Sequence, residues 1–207
     1  MDEQKIEQLN SEKNVPSVPS PSPSRFSKGL VEQIELIVIA FAVIILIFSF
    51  CVRTCEVNGG SMEDTLIDGE TVLISNLFYE PERGDIVVFH QTSDTNPSFN
   101  EPIVKRIIAL PGDTVKIEYL IDTMRVTVIS SDGTKTVLEE EYIKYNGAGR
   151  YVDSTYYVEE GTLFAMGDNR TISADSRHPD IGLVDSRRIL GKVILRITPF
   201  DKFGKVE

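Results

Sequence analysis

The chain is poor in the residues that most often announce a site. Its 207 residues include two cysteines, two histidines and no tryptophan. Two cysteines, Cys51 and Cys55, cannot build a disulfide scaffold. His90 and His178 lie far apart, and no Cys/His cluster has ligand spacing, so no structural zinc site is expected. A Ser-His-Asp triad would have only those two histidines for its base. Positive charge is short as well, with 21 basic against 32 acidic residues and a net charge of −11. Nucleic-acid binding needs clustered Lys and Arg to neutralise phosphates, so that class of partner is set aside. No period of 20 to 50 residues repeats. The expectation is a chain without metal or cofactor.

What is present divides into three parts. Residues 1–29 form a polar tail whose stretch Val15–Ser24 alternates proline and serine or valine. At that density the chain buries too little apolar surface to offset its ordering entropy, and a disordered tail or extended spacer is expected. Residues 36–52 read LIVIAFAVIILIFSFCV, without a charge and with Ser49 as the one clearly polar side chain. A core helix of a small domain shows a polar face, and this segment has none. Residues 30–53 are therefore expected to be a transmembrane helix, near the lower limit of span length. A cleaved secretory signal fits poorly, since the apolar run starts far from Met1 and no small-x-small site follows it. Arg25 and Lys28 before the span, against Arg53 after it, favour the N-terminus inside and the following domain outside.

Residues 54–207 carry nearly all of the negative charge and are expected to fold as one β-rich domain. Apolar or β-branched runs recur at Thr71–Leu77, Asp85–His90, Ile103–Leu110, Thr114–Ile121, Arg125–Ser130, Thr162–Met166 and Lys192–Ile197. Glycine and proline punctuate them, and Asp132-Gly133 predicts a hairpin between Arg125–Ser130 and Thr134–Leu138. No long amphipathic helix intervenes, so βαβ winding is not expected. The fold class is mostly β: a sheet or barrel-like domain after a single membrane helix.

Four short stretches could carry chemistry. In Val57–Leu66, Gly59 and Gly60 precede Ser61-Met62. The glycines permit tight backbone geometry and leave the hydroxyl open, although Ser61 with Asp64 also fits a helix cap. Arg83–His90 is a turn and a buried strand. In Ile103–Asp113, Lys105 and Arg106 interrupt an apolar strand. A lysine there either snorkels from an edge strand or loses its charge by burial and serves as a base. Moving a lysine from near 10.4 to roughly 7–8 takes about 4 kcal/mol, which only a desolvated site supplies. Gly167–Arg177 is dense in hydrogen-bonding groups. It is either a solvated loop or a salt-bridge lattice that stiffens a site.

Together these stretches resemble the type I signal peptidases of bacteria. The order is Ser-Met-x-x-Thr-Leu, Arg-Gly-Asp-Ile-Val, Lys-Arg with Pro-Gly-Asp after it, then Gly-Asp-Asn-Arg-x-x-Ser-x-Asp-Ser-Arg. A single N-terminal anchor matches the shorter Gram-positive form, and the resemblance covers about residues 30–200. It implies a Ser–Lys protease with Ser61 as nucleophile, Lys105 as general base and Ser173 orienting the lysine amine. It also implies that Met62 lines the pocket for the small side chain before the cut. Arg106, Asp168, Asn169, Arg170, Asp175 and Arg177 would form a polar framework. Substrates would be signal peptides of secretory precursors met at the lipid bilayer. Two departures stand out: Asp64 occupies a usual proline position, and Gly59 stands where some members have an oxyanion-hole serine. The hole would then rest on backbone N–H groups. Two other readings are a non-catalytic or narrowly dedicated domain that binds precursors or surface-structure subunits, and a self-cleaving Ser–Lys regulator. The first would be marked by loss of Ser61 or Lys105, and the second by a DNA-binding segment and a basic face. Residues 116–160 carry no functional reading.

Overall fold

The computed structural model describes residues 25–92, 100–120, 123–143 and 152–206. The Pro/Ser-rich stretch lies outside the described residues. Helix α1 spans Arg25–Cys51. Its 27 residues carry the continuous apolar run, and the window Gly29–Leu46 has mean hydropathy 2.3 with none of its surface buried. At about 1.5 Å per residue such a helix is long and apolar enough to cross a bilayer. Val52 and Arg53, expected at the end of the span, instead open strand β1 (Val52–Glu56), where they pair with Ser75 and Ile74. Backbone pairing to a neighbouring strand overrides the apolar run there.

The remainder is mostly β, as the strand pattern predicts. One eight-stranded antiparallel sheet has the order β1, β2 (Thr71–Ser75), β11 (Ile189–Thr198), β3 (Ile86–His90), β4 (Pro102–Ala109), β9 (Thr162–Met166), β10 (Val184–Asp185). Strand β12 (Gly204–Lys205) adds to β11. A four-stranded sheet has the order β7 (Lys135–Val137), β6 (Met124–Ile129), β5 (Thr114–Tyr119), β8 (Ser154–Tyr157). The Asp132-Gly133 hairpin forms between β6 and β7, with Gly133 at φ 85°.

Alternation along β3 explains how one sheet serves two cores. Ile86 and Val88 point to one cluster with Val57, Met62, Leu66 and Val72. Val87 and Phe89 point to the other, with Ile107, Leu163 and Ala165. A register shift in β4 between Ile107 and Ala109 turns Ile108 and Ala109 toward a third cluster. There they join Phe164 and Met166 of β9 beneath Val115, Ile117, Val126 and Val128 of the small sheet. The small sheet thus packs against the strands β4 and β9, which bear the Lys-Arg pair and lead into the Gly-Asp-Asn-Arg loop.

Candidate active site

Strand register brings two of the four stretches together. Arg106 on β4 pairs with Met166 on β9, so the loop that leaves β9 at Gly167-Asp168 emerges beside Lys105 and Arg106. The Ser61 turn reaches the same place from the other side. Met62 and Leu66 are fully buried in the core and pin it from below. The Glu63 N–H donates to the Gly60 carbonyl and the Leu66 N–H to the Met62 carbonyl. The capping helix does not form; the segment is a run of turns. Two bonds then staple the turn to the loop: Asn169 N–H to the Ser61 carbonyl (3.0 Å) and Thr65 Oγ1–H to Asp168 Oδ2 (2.5 Å). The approach is so close that a Cβ on Gly167 would overlap both the Ser61 carbonyl and Ser173 Oγ. Only glycine fits there.

Lys105 is 3% exposed and its Nζ donates to Ser61 Oγ at 2.8 Å and to the Val104 carbonyl at 2.9 Å. Burial lowers its pKa to about 8, opposed by the carboxylates of Asp175 and Asp168 and aided by Arg177. Ser61 is half-buried. The pair has the geometry of a nucleophile and its base, within hydrogen-bond reach and with the amine poised near neutrality. The acids that raise the lysine are those of the loop, Asp175 and Asp168, while Asp64 of the nucleophile turn is exposed.

The loop forms a buried lattice. Arg106 grips Asp168 with Nε–Oδ1 3.0 Å and Nη2–Oδ2 2.7 Å, and both side chains are buried. Arg177 grips Asp175 in the same two-pronged way and donates to the Arg170 carbonyl at 3.0 Å. Asp175 also accepts from the Gly167 N–H at 3.1 Å. Its carboxyl is held low against the opposing effect of burial, chiefly by the Arg177 guanidinium. Bidentate pairs of this kind fix geometry as well as charge.

Three expected roles meet a different arrangement. Ser173 does not bond the lysine amine: the Val104 carbonyl takes that place, and Ser173 Oγ is buried without a hydrogen-bond partner. Met62 is wholly buried among Val57, Leu66 and Val72, with no open face to offer a pocket. The Arg170 carboxylate partner lies outside the loop. Arg170 pairs with Glu140, and Tyr142 lies over Arg106 with the guanidinium carbon 3.9 Å from the ring centroid. Sequence reasoning gave no role to Glu140 or Tyr142. One signal was available: with Asp168 and Asp175 taken by Arg106 and Arg177, Arg170 needs an acid from elsewhere. Gly59 adopts φ 85°, and its N–H donates to Asp68 Oδ1 at 2.6 Å. Gly60 lies beside Glu63 and Ile172, close enough that a Cβ would press on the Glu63 carboxylate. The Asn169 side-chain oxygen is buried without a partner. Among the described residues no group of three or more His, Cys, Asp or Glu converges as a metal site.

Comparison with known proteins places the sequence in a family. The model of the signal peptidase family, peptidase S26, matches residues 30–198. Signal peptidase IB of Staphylococcus aureus (strain Mu50) is 35% identical over 195 residues, covering 85% of this chain and 93% of that protein. Signal peptidase I of Leptolyngbya laminosa is 30% identical over 197 residues, covering 92% and 91%. A crystal structure of a signal peptidase I from Enterococcus faecalis V583 is 30% identical, with TM-score 0.39, and covers 56% of this chain and 97% of that one. With a family match over most of its length and relatives this similar, the chain belongs to the signal peptidases of family S26, as a type I membrane enzyme of the short Gram-positive-like form, a serine endopeptidase.

Proposed function

We propose that this enzyme removes signal peptides from secretory precursors with a Ser61–Lys105 dyad, cutting after a small-x-small motif. The observation that carries the dyad is the 2.8 Å contact between Lys105 Nζ and Ser61 Oγ at a lysine held to a pKa of about 8 by burial. Neutral Lys105 takes the Ser61 proton as Oγ bonds to the scissile carbonyl carbon. The carbonyl oxygen takes the negative charge and is met by backbone N–H groups, that of Ser61 among them. When the intermediate collapses, the C–N bond breaks and the Lys105 ammonium gives its proton to the leaving amine. Water then attacks the acyl-enzyme, with Lys105 again the base, and releases the signal peptide as a carboxylate. Ser173, whose buried Oγ has no hydrogen-bond partner here, is the side chain proposed to orient the amine during turnover. No metal or cofactor enters the scheme.

Helix α1 anchors the enzyme in the bilayer with the N-terminal tail cytoplasmic and residues 54–207 extracytoplasmic. A precursor presents its own apolar helix in the same membrane and its cleavage motif just outside. Anchoring the enzyme there replaces a three-dimensional search with a high effective concentration. The test is cleavage of a precursor bearing an Ala-x-Ala site in detergent micelles, comparing the parent with Ser61→Ala and Lys105→Ala. The cut position is read by mass spectrometry. A cut after the motif that both variants lose supports the proposal; a cut that survives either substitution removes that residue from the mechanism.

A further inference from the structure

The four-stranded sheet contributes none of the reacting groups, yet the chain leaving its edge strand β7 runs directly onto the framework. Glu140 closes on Arg170 through both guanidinium nitrogens Nη1 and Nη2, the first at 2.7 Å. Arg170 Nε donates to the Gly167 carbonyl at 3.1 Å, so this guanidinium links Glu140 to the loop backbone beside Ser61. Tyr142 OH donates to Glu140 Oε1 at 2.6 Å, and its ring covers Arg106. Arg106 in turn holds Asp168 and donates to the Gly84 carbonyl at 2.9 Å. Burial works against the Arg106 charge, while Asp168, Tyr142 and Glu140 favour it, and the net shift of its pKa is upward. Tyr142 also shares with Asp64 and Thr65 of the nucleophile turn the wall of an open cleft of about 500 Å³.

We propose that Glu140 and Tyr142 are positioning residues: a clamp, donated by the small sheet, that seats Arg106 and Arg170 and thereby holds Asp168 away from Lys105. The inference rests on the Ser61–Lys105 reading for its catalytic consequence and on the contacts above for its geometry. The chain of effect has a definite sign. The groups that face Lys105 are Asp175, Asp168 and Arg177, with Ser61 Oγ and the Val104 carbonyl in direct contact. Asp168 favours the ammonium form, and Arg106 neutralises Asp168. Removing the Tyr142 ring admits water to the Arg106–Asp168 pair and loosens it. With its arginine loosened, Asp168 acts more strongly on Lys105 and favours the ammonium, so more alkali is needed to generate the base.

The experiment is the pH profile of kcat, per active site, for the full-length enzyme and for Tyr142→Ala, Tyr142→Leu and Tyr142→Phe. Tyr142→Ala is expected to move the acid limb to higher pH, lowering kcat at pH 7 by about three- to tenfold. Activity should recover toward the parent level above the limb. Tyr142→Phe keeps the ring over Arg106 and should follow the parent. Tyr142→Leu fills only part of the space over Arg106 and lacks the ring face, so it should shift the limb in the same direction by less, and it carries the test if Tyr142→Ala does not fold. A second readout is independent of cleavage: competitive acetylation of Lys105 with acetic anhydride across pH, in the Ser61→Ala background, read by mass spectrometry. Its midpoint should rise with loss of the ring. Profiles and midpoints that superimpose on the parent, with only thermal stability lowered, overturn the clamp and leave Tyr142 a packing residue. Cleavage that persists in Ser61→Ala would instead overturn the dyad, and the Lys105 midpoint would still decide the clamp.

Discussion

The two sheets of the domain divide the work unequally. The eight-stranded sheet carries the lysine on β4, leads into the Gly-Asp-Asn-Arg loop from β9 and packs the nucleophile turn against its inner face. The four-stranded sheet supplies apolar cover over Ile108 and Phe164, then delivers Glu140 and Tyr142 to the framework's arginines. The difference teaches that chemistry and its control are built from different kinds of sequence. The proposed reacting groups sit in short, locally recognisable stretches, whereas two of the residues packed on their framework, Glu140 and Tyr142, come from a distant segment with no signature of its own.

The largest expected effect breaks the first half of that comparison. Lys105→Met should reduce turnover by about a hundred- to ten-thousandfold at any pH, since general-base catalysis by a positioned group contributes roughly 10²–10⁴. Pre-steady-state acylation of a precursor peptide is the measurement. Fold stability should not fall in parallel, because the substitution removes a buried amine and keeps its apolar stem.

Next comes the lattice. Arg106→Met strands Asp168 in a fully buried setting and should destabilise the fold by about 3–5 kcal/mol. Urea melts of the detergent-solubilised enzyme give the number. The exposed pair Arg187–Asp185 serves as the control. Its Arg187→Met variant should melt close to the parent, since exposed ion pairs hold little stability.

Linkage gives a third test, with the sign set by burial. In the folded state burial brings the Lys105 pKa down to about 8, against 10.5 for a free lysine. Below pH 8 the folded chain carries a buried ammonium at a cost. Above 10.5 both states are neutral and the cost is gone. Between the two the unfolded chain binds more protons, so the stability of the parent relative to Lys105→Met should rise by about 3 kcal/mol from pH 8 to 10.5. A gap that stays flat would mean the amine is better solvated than its 3% exposure implies.

A milder change sharpens the other half. Ile117→Val in the small sheet removes one methyl from a side chain that is 1% exposed and should cost about 0.5–1.5 kcal/mol. If the small sheet acts on catalysis only through Glu140 and Tyr142, the pH profile of this variant should match the parent even as its melting temperature drops.

The seven apolar runs were legible because β-branched residues bounded by glycine and proline leave little choice but strand. What escaped was short or contextual. Strand β10 has two residues, Val184–Asp185, too few to show a period. Strand β8, Ser154–Tyr157, is polar enough to pass for loop and forms because Lys116 and Val115 offer it a partner. Strand β1 was hidden in the tail of an apolar run that reads equally well as membrane helix. Of the candidate site, the order of short motifs along the chain brings forward Ser61, Lys105 and the loop aspartates and arginines, which the fold gathers in one place. Glu140 and Tyr142 were not, since an acidic run after a hairpin looks like solvated surface, and their partners lie on another sheet. The lysine's second partner was also out of reach, because a backbone carbonyl leaves no mark on a sequence.

The smallest effect concerns Asp64, the acid in a position where the family usually has proline. It is exposed, in a turn held by the Leu66 N–H on the Met62 carbonyl and anchored by buried Met62 and Leu66. The carboxylates that act on Lys105 are Asp175 and Asp168, both fixed by arginines of the lattice. Asp64→Pro should therefore leave kcat at pH 7 within about twofold of the parent, or raise it, as expected for a surface change of about 0.5 kcal/mol or less. Its acid limb should stay where the loop puts it. A large loss of activity with an unshifted limb would locate the fault in the turn, placing Ser61 out of line with Lys105. A loss with a shifted limb would mean the charge at Asp64 reaches the lysine after all, and control of the base would then be shared between the nucleophile turn and the clamp.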